Sequence, residues 1–103
     1  MRLAPLALTA TAAVLIAGSA VAAEHATDVD YLRASRCRGL ASGLSADTTA
    51  LDAYLKAEAR TRDLFVVQRG SEEQARGKRD AKRSERAAKS AEELNGPCQA
   101  YKG

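Results

Sequence analysis

The sequence predicts an all-α domain that follows an export signal and is closed by one disulfide. Three observations support this prediction. The first 23 residues are mostly small and apolar, whereas all the charged residues except Arg2 lie in the remainder. After residue 27, apolar side chains recur at the three- and four-residue spacing of amphipathic helices. The two cysteines, Cys37 and Cys98, lie 61 positions apart.

The first segment is typical of a secretory signal peptide. Arg2 supplies its positive charge, and residues 6–17 form an apolar run that is too short for a spanning helix, which needs about 20 residues. We expect a signal peptide at residues 1–22, cut after Ala22 or Ala23, and export to the periplasm or medium. The mature chain, residues 23–103, is then a single small helical domain without a transmembrane segment. An uncleaved anchor is the alternative.

The first predicted helix covers residues 28–42. A Thr-Asp pair at its start can cap it, and Gly43 can close it in a left-handed turn. Apolar side chains fall on one side of this helix. Arg33 and Arg36 share that side, where they either extend around a narrow apolar stripe or contact a buried anion.

Two longer helices are predicted next, over residues 47–69 and 71–95. Gly70 separates them, the Ser-Glu-Glu-Gln run after it fits a capping box, and Gly96 with the following proline stops the second. Because their lengths are nearly equal, a reversal at Gly70 predicts a long antiparallel hairpin with the short first helix packed on it. One continuous helix over residues 47–95 is the alternative.

The hairpin predicts an intramolecular disulfide between Cys37 and Cys98. An even number of cysteines in an exported protein with a small core indicates a structural disulfide. Closing a loop of this length contributes about 4 kcal/mol by restricting the unfolded chain. A continuous helix would instead separate the two cysteines by about 70 Å and require a disulfide-linked dimer.

A basic stretch in the third predicted helix is the candidate binding surface. Between residues 76 and 89 the chain has seven basic and two acidic residues, within a net charge of +3 for the whole sequence. Such a surface suits a polyanion, such as a lipid headgroup layer, a cell-wall polymer or nucleic acid. The stretch lacks aromatic residues for base stacking, so sequence-specific nucleic-acid binding is not expected. An ordinary solvated face is the alternative. The candidate residues are Lys78, Arg79, Lys82, Arg83, Arg86 and Lys89.

The chain offers little for catalysis. His25 is the single histidine, close to the mature N-terminus, and the chain has no glycine-rich phosphate loop. We therefore expect a non-catalytic envelope protein without a cofactor, acting as a binding or stress-related accessory.

A cut after Ala22 would create a second possibility, because Ala23, Glu24 and His25 could then bind Cu(II) or Ni(II) through four nitrogens. A frayed N-terminus is the competing interpretation.

Overall fold

The structure is a computed structural model that describes residues 26–102, and the predicted signal peptide lies outside this range. The described residues form helices and turns without any strand, which confirms the all-α class. The α-helices are α1 (Asp28–Gly43), α2 (Thr49–Ala59), α3 (Leu64–Lys82) and α4 (Ala87–Asn95). A short 3₁₀ turn, Ser84–Arg86, separates α3 from α4, and a 3₁₀ helix, Pro97–Tyr101, follows α4.

Helix α1 begins where the sequence predicts, because its N-terminus is a complete capping box. The Thr27 hydroxyl accepts a hydrogen bond from the Asp30 amide at 3.2 Å. The Asp30 carboxylate in turn accepts one from the Thr27 amide at 3.0 Å. The helix ends at Gly43, one residue beyond the predicted range of 28–42.

The predicted second and third helices have the wrong boundaries. The chain leaves helical geometry after α2, and Asp63, in extended conformation with φ −62° and ψ 148°, starts α3. Helix α3 then continues through Gly70 to Lys82. The predicted turn at Gly70 is therefore wrong, and neither the hairpin of residues 47–69 and 71–95 nor a continuous helix over residues 47–95 is formed.

Arg62 accounts for the break between α2 and α3. Its guanidinium donates to the Glu58 carboxylate at 2.7 Å, to the Asp28 carboxylate at 2.9 Å and to the Ala26 carbonyl at 2.9 Å. These contacts tie the end of α2 to the start of α1. The loop is stabilised by a charged side chain rather than by glycine or proline, and a local sequence pattern does not reveal such a contact.

Helices α1 and α3 pack with their backbones in near contact. They run in the same direction, because Tyr31 lies against Gly70 at one end and Gly43 lies against Ala81 at the other. A Cβ atom added to Gly77 would lie 2.5 Å from the carbonyl oxygen of Arg36. These small residues therefore serve close helix packing, which is why Gly70 does not mark a turn.

The core consists of two clusters around α1. One contains the disulfide and the other lies near the start of α1, and Tyr101 packs against both. The Tyr101 ring lies 5.3 Å from the Tyr54 ring. The buried members of the first cluster are Cys37, Leu40, Ala41, Leu51, Ala81, Leu94 and Cys98, and those of the second are Tyr31, Ala34 and Leu55.

The predicted disulfide between Cys37 and Cys98 is present, with the two Cα atoms 5.7 Å apart. It joins the middle of α1 to the C-terminal 3₁₀ helix, and both cysteines are buried. The bond therefore holds the end of the chain against the central helix. No helix within residues 26–102 is both long enough and apolar enough to cross a bilayer.

The close packing of α1 and α3 predicts an unusual effect of Gly77→Ala. In an exposed helix this change is stabilising by about 1 kcal/mol, since alanine has the higher helix propensity. Here the added methyl group meets the Arg36 carbonyl at 2.5 Å, and overpacking costs about 1–3 kcal/mol. We expect a lower free energy of unfolding, measured by urea denaturation of the oxidised protein.

The matched control is Ser71→Ala, because Ser71 lies on the exposed side of the same helix. Alanine there should leave the stability unchanged or raise it slightly. A Gly77→Ala protein that is as stable as the wild type would contradict the close approach of the two helices.

Candidate functional site

The six predicted anion-binding residues lie on two helices and the segment between them. Lys78, Arg79 and Lys82 belong to the last turns of α3, whereas Lys89 lies on α4. The expected single basic helix is therefore wrong, since Arg83 has extended geometry (φ −80°, ψ 127°) and ends α3. All six side chains are nevertheless exposed. We call this set, Lys78, Arg79, Lys82, Arg83, Arg86 and Lys89, the basic surface.

Arg36 of α1 lies beneath the basic surface and binds two carboxylates. Its Nη1 donates to Asp80 of α3 at 3.0 Å. Its Nε and Nη2 donate to the two oxygens of Glu93 on α4, at 2.9 and 3.2 Å. One guanidinium thus joins three helices, and the forked contact with Glu93 is the geometry that arginine favours with carboxylates.

These contacts stabilise the charged forms of the groups involved. The hydrogen bond from Arg36 holds the pKa of Asp80 below its usual value, and the nearby Arg86 and Arg83 act in the same direction. The hydrogen bonds to Glu93 and then Asp80 raise the pKa of Arg36 above its usual value. The sequence left two alternatives for Arg36, namely extension around the apolar stripe or contact with a buried anion. The structure shows that Arg36 contacts two carboxylates and that this contact is partly buried.

Two carboxylates beside the basic surface face inward to Arg36, whereas Glu85 and Glu92 of the same region are exposed. Asp80 and Glu93 are bound by Arg36, and Asp80 has only a long second contact, 3.8 Å, with Arg86. Within residues 26–102 no ion pair involves the remaining five cations of the surface. These five are Lys78, Arg79, Lys82, Arg83 and Lys89. Their side chains extend into solvent and are available to an external anion.

A cleft of about 480 Å³ lies beside this cluster. Three cations and three carboxylates line it together with Ser90, so its charge is balanced and it lacks the apolar walls of typical ligand pockets. We therefore place the candidate site on the basic surface and not in the cleft. The charged lining residues are Arg36, Arg86, Lys89, Asp80, Glu85 and Glu93.

The predicted metal-binding residues, Ala23, Glu24 and His25, lie outside the described residues. In the part of the chain from residue 26 to residue 102, no group of three or more histidine, cysteine or acidic side chains is placed to hold a metal ion. No protein family, curated protein or solved structure matches this chain.

The inward-facing role of Arg36 was only partly visible in the sequence. Its place on the apolar side of α1 indicated an unusual environment, but its partners lie 44 and 57 positions away along the chain. Sequence spacing on one helix cannot identify such partners. The same distance hides the fact that Asp80 of α3 binds Arg36 of α1.

The lowered pKa of Asp80 predicts how acid affects stability. A carboxylate with a lower pKa in the folded state stabilises the fold above its unfolded pKa of about 4 and loses that effect as the pH falls through the folded value. Asp80→Asn removes this carboxylate. We expect its free energy of unfolding, from urea denaturation between pH 6 and pH 2, to decline less with acid than that of the wild type.

Glu72→Gln is the control, because Glu72 is exposed and has only a 4.0 Å contact with Arg69. Its pH profile should follow the wild type. If Asp80→Asn loses stability with acid as steeply as the wild type does, the proposed importance of the Arg36 contact is wrong.

Proposed function

We propose that this protein is a small exported, non-catalytic binding protein of the cell envelope whose basic surface engages an anionic partner. The observation that carries the proposal is the group of exposed cations, with Lys78, Arg79 and Lys82 on consecutive turns of α3, that have no ion pair within residues 26–102. Arg36 supports the same conclusion, because it binds Asp80 from below and leaves the outer cations without that counter-charge.

Export is supported by two independent features. The N-terminal sequence has the pattern of a signal peptide, with Ala22 or Ala23 at the proposed cut. The buried disulfide between Cys37 and Cys98 is of the kind that persists in oxidising compartments. A periplasmic or secreted protein would encounter anionic lipids and polymers at the cell surface.

The proposed interaction is electrostatic and needs no pocket. Lys78 and Lys82 lie one helical turn, or about 6 Å, apart along α3, and Arg79 lies between them in sequence. A polymer or surface with repeating negative charges can contact several such side chains at once and release its bound counterions. Affinity should therefore fall steeply as the salt concentration rises.

Heparin chromatography tests this proposal with a charge-matched pair of variants. Arg79→Gln with Lys82→Gln changes the basic surface. Lys56→Gln with Arg60→Gln removes one lysine and one arginine from exposed positions of α2 and the loop after it. We expect the first variant to elute at a clearly lower salt concentration than the wild type and the second to elute near it.

Equal elution of the two double variants would contradict the proposal, because it would show that retention depends on total charge and not on the basic surface. A wild-type protein that is not retained at low salt would also overturn it. Far-ultraviolet circular dichroism of each variant checks that the helices are intact.

A further inference from the structure

Two large apolar side chains at the start of α3 are left in solvent. Leu64 is 71% exposed and Phe65 is 68% exposed. The predicted helix over residues 47–69 included both side chains, but the structure places them in the first turn of a separate helix that starts after Asp63. Helix α3 instead packs on α1 through Gly70, Gly77 and other residues of its inner face.

The exposed apolar pair and the cations of α3 lie on the same outer face. At 100° per residue, the 18 positions from Leu64 to Lys82 make five full turns. The side chains of Leu64 and Lys82 therefore point in the same direction from the helix. The distance between these positions along the helix axis is about 27 Å. The exposed residues of this face are Leu64, Phe65, Gln68, Ser71, Glu72, Ala75, Lys78, Arg79 and Lys82.

This outer face is not covered by another element of residues 26–102. The opposite side of α3 packs on α1, and Gln68 and Ala75 add no charge between the apolar and basic ends. Glu72 is the acidic residue of this face, and its carboxylate is 4.0 Å from the Nε of Arg69. The face therefore has an apolar end, a polar middle that carries one carboxylate, and a cationic end.

We propose that the outer face of α3 docks on the surface of an anionic lipid bilayer. Leu64 and Phe65 enter the boundary between headgroups and acyl chains, while Arg79 and Lys82 contact the lipid phosphates. Interfacial helices bind in this way, through buried apolar area combined with attraction to anionic headgroups. The inference rests on the proposed function and deepens it by naming the partner.

The apolar pair distinguishes a bilayer from a soluble polymer. A polymer would contact the basic surface and leave Leu64 and Phe65 in water, whereas a bilayer accommodates both ends of the face. The side chains of Arg79 and Lys82 are long enough to keep their charges at headgroup level while the apolar end lies deeper. A bilayer thus gives a role both to the exposed apolar pair and to the cations on this side of α3.

Vesicle cosedimentation tests the proposal. The exported, oxidised protein is mixed with vesicles of equal parts phosphatidylglycerol and phosphatidylcholine, or of phosphatidylcholine alone. We expect salt-sensitive binding to the anionic vesicles and much weaker binding to the neutral ones. Leu64→Ser with Phe65→Ser should weaken binding to anionic vesicles on the order of tenfold but leave the elution from heparin unchanged.

Val29→Ser is the matched control for the apolar pair. Val29 is also exposed, at 53%, but it lies on α1, which packs against the side of α3 opposite the outer face. This variant should bind anionic vesicles like the wild type. Since all three side chains are exposed, the substitutions should leave the fold intact, and circular dichroism verifies this.

Three outcomes would overturn the bilayer proposal, and they separate it from the proposed function. Vesicle binding that survives Leu64→Ser with Phe65→Ser but not Arg79→Gln with Lys82→Gln would show anion binding without insertion. Retention on heparin without vesicle binding would likewise leave only the broader function. Absence of both kinds of binding would overturn both proposals.

Discussion

The glycine-lined contact between α1 and α3 determines how the rest of the molecule is arranged. A side chain on Gly39 would collide with the backbone carbonyl of Gln74, and one on Gly77 would lie 2.5 Å from that of Arg36. Such close packing sets both the direction of α3 and its rotation about its own axis. It thereby places Asp80 within reach of Arg36 and turns Leu64, Arg79 and Lys82 outward. The close contacts between the two backbones add dispersion attraction to a core that has few large apolar side chains.

Two long-range ties hold the C-terminal part of the chain on this pair of helices. The disulfide joins Cys37 to Cys98, and Arg36, one residue earlier on α1, binds Glu93 of α4. The apolar core and the ion-pair cluster therefore meet at the same place on the central helix. The consequence for the surface is a partial separation of charge, in which Asp80 and Glu93 face inward to Arg36 while the lysines and arginines remain outside with Glu85 and Glu92. The proposed binding function depends on that separation.

The parts of this fold that depend on local chemistry could be predicted from the sequence. The N-terminal cap of α1 and the pairing of Cys37 with Cys98 are of this kind, and both are confirmed, with Thr27 as the capping residue. The composition also identified the basic residues, but not the break at Arg83 that divides them between α3 and α4. Gly70 shows the limit most clearly, because a glycine can end a helix or allow another helix to approach, and only the tertiary packing decides between these roles. The inward turn of Asp80 and the exposure of Phe65 depend on the same packing.

Proton NMR of the oxidised protein tests the close packing most directly. The Cα atom of Gln74 lies 3.0 Å from the position that a Cβ atom on Gly39 would occupy. One α-proton of Gly39 points toward that position, so we expect a nuclear Overhauser cross-peak between it and the α-proton of Gln74. If this cross-peak is absent from spectra in which both residues show their intrahelical cross-peaks, the backbones of α1 and α3 are not in close contact. The outward orientation of Leu64, Arg79 and Lys82 on α3 is then wrong as well.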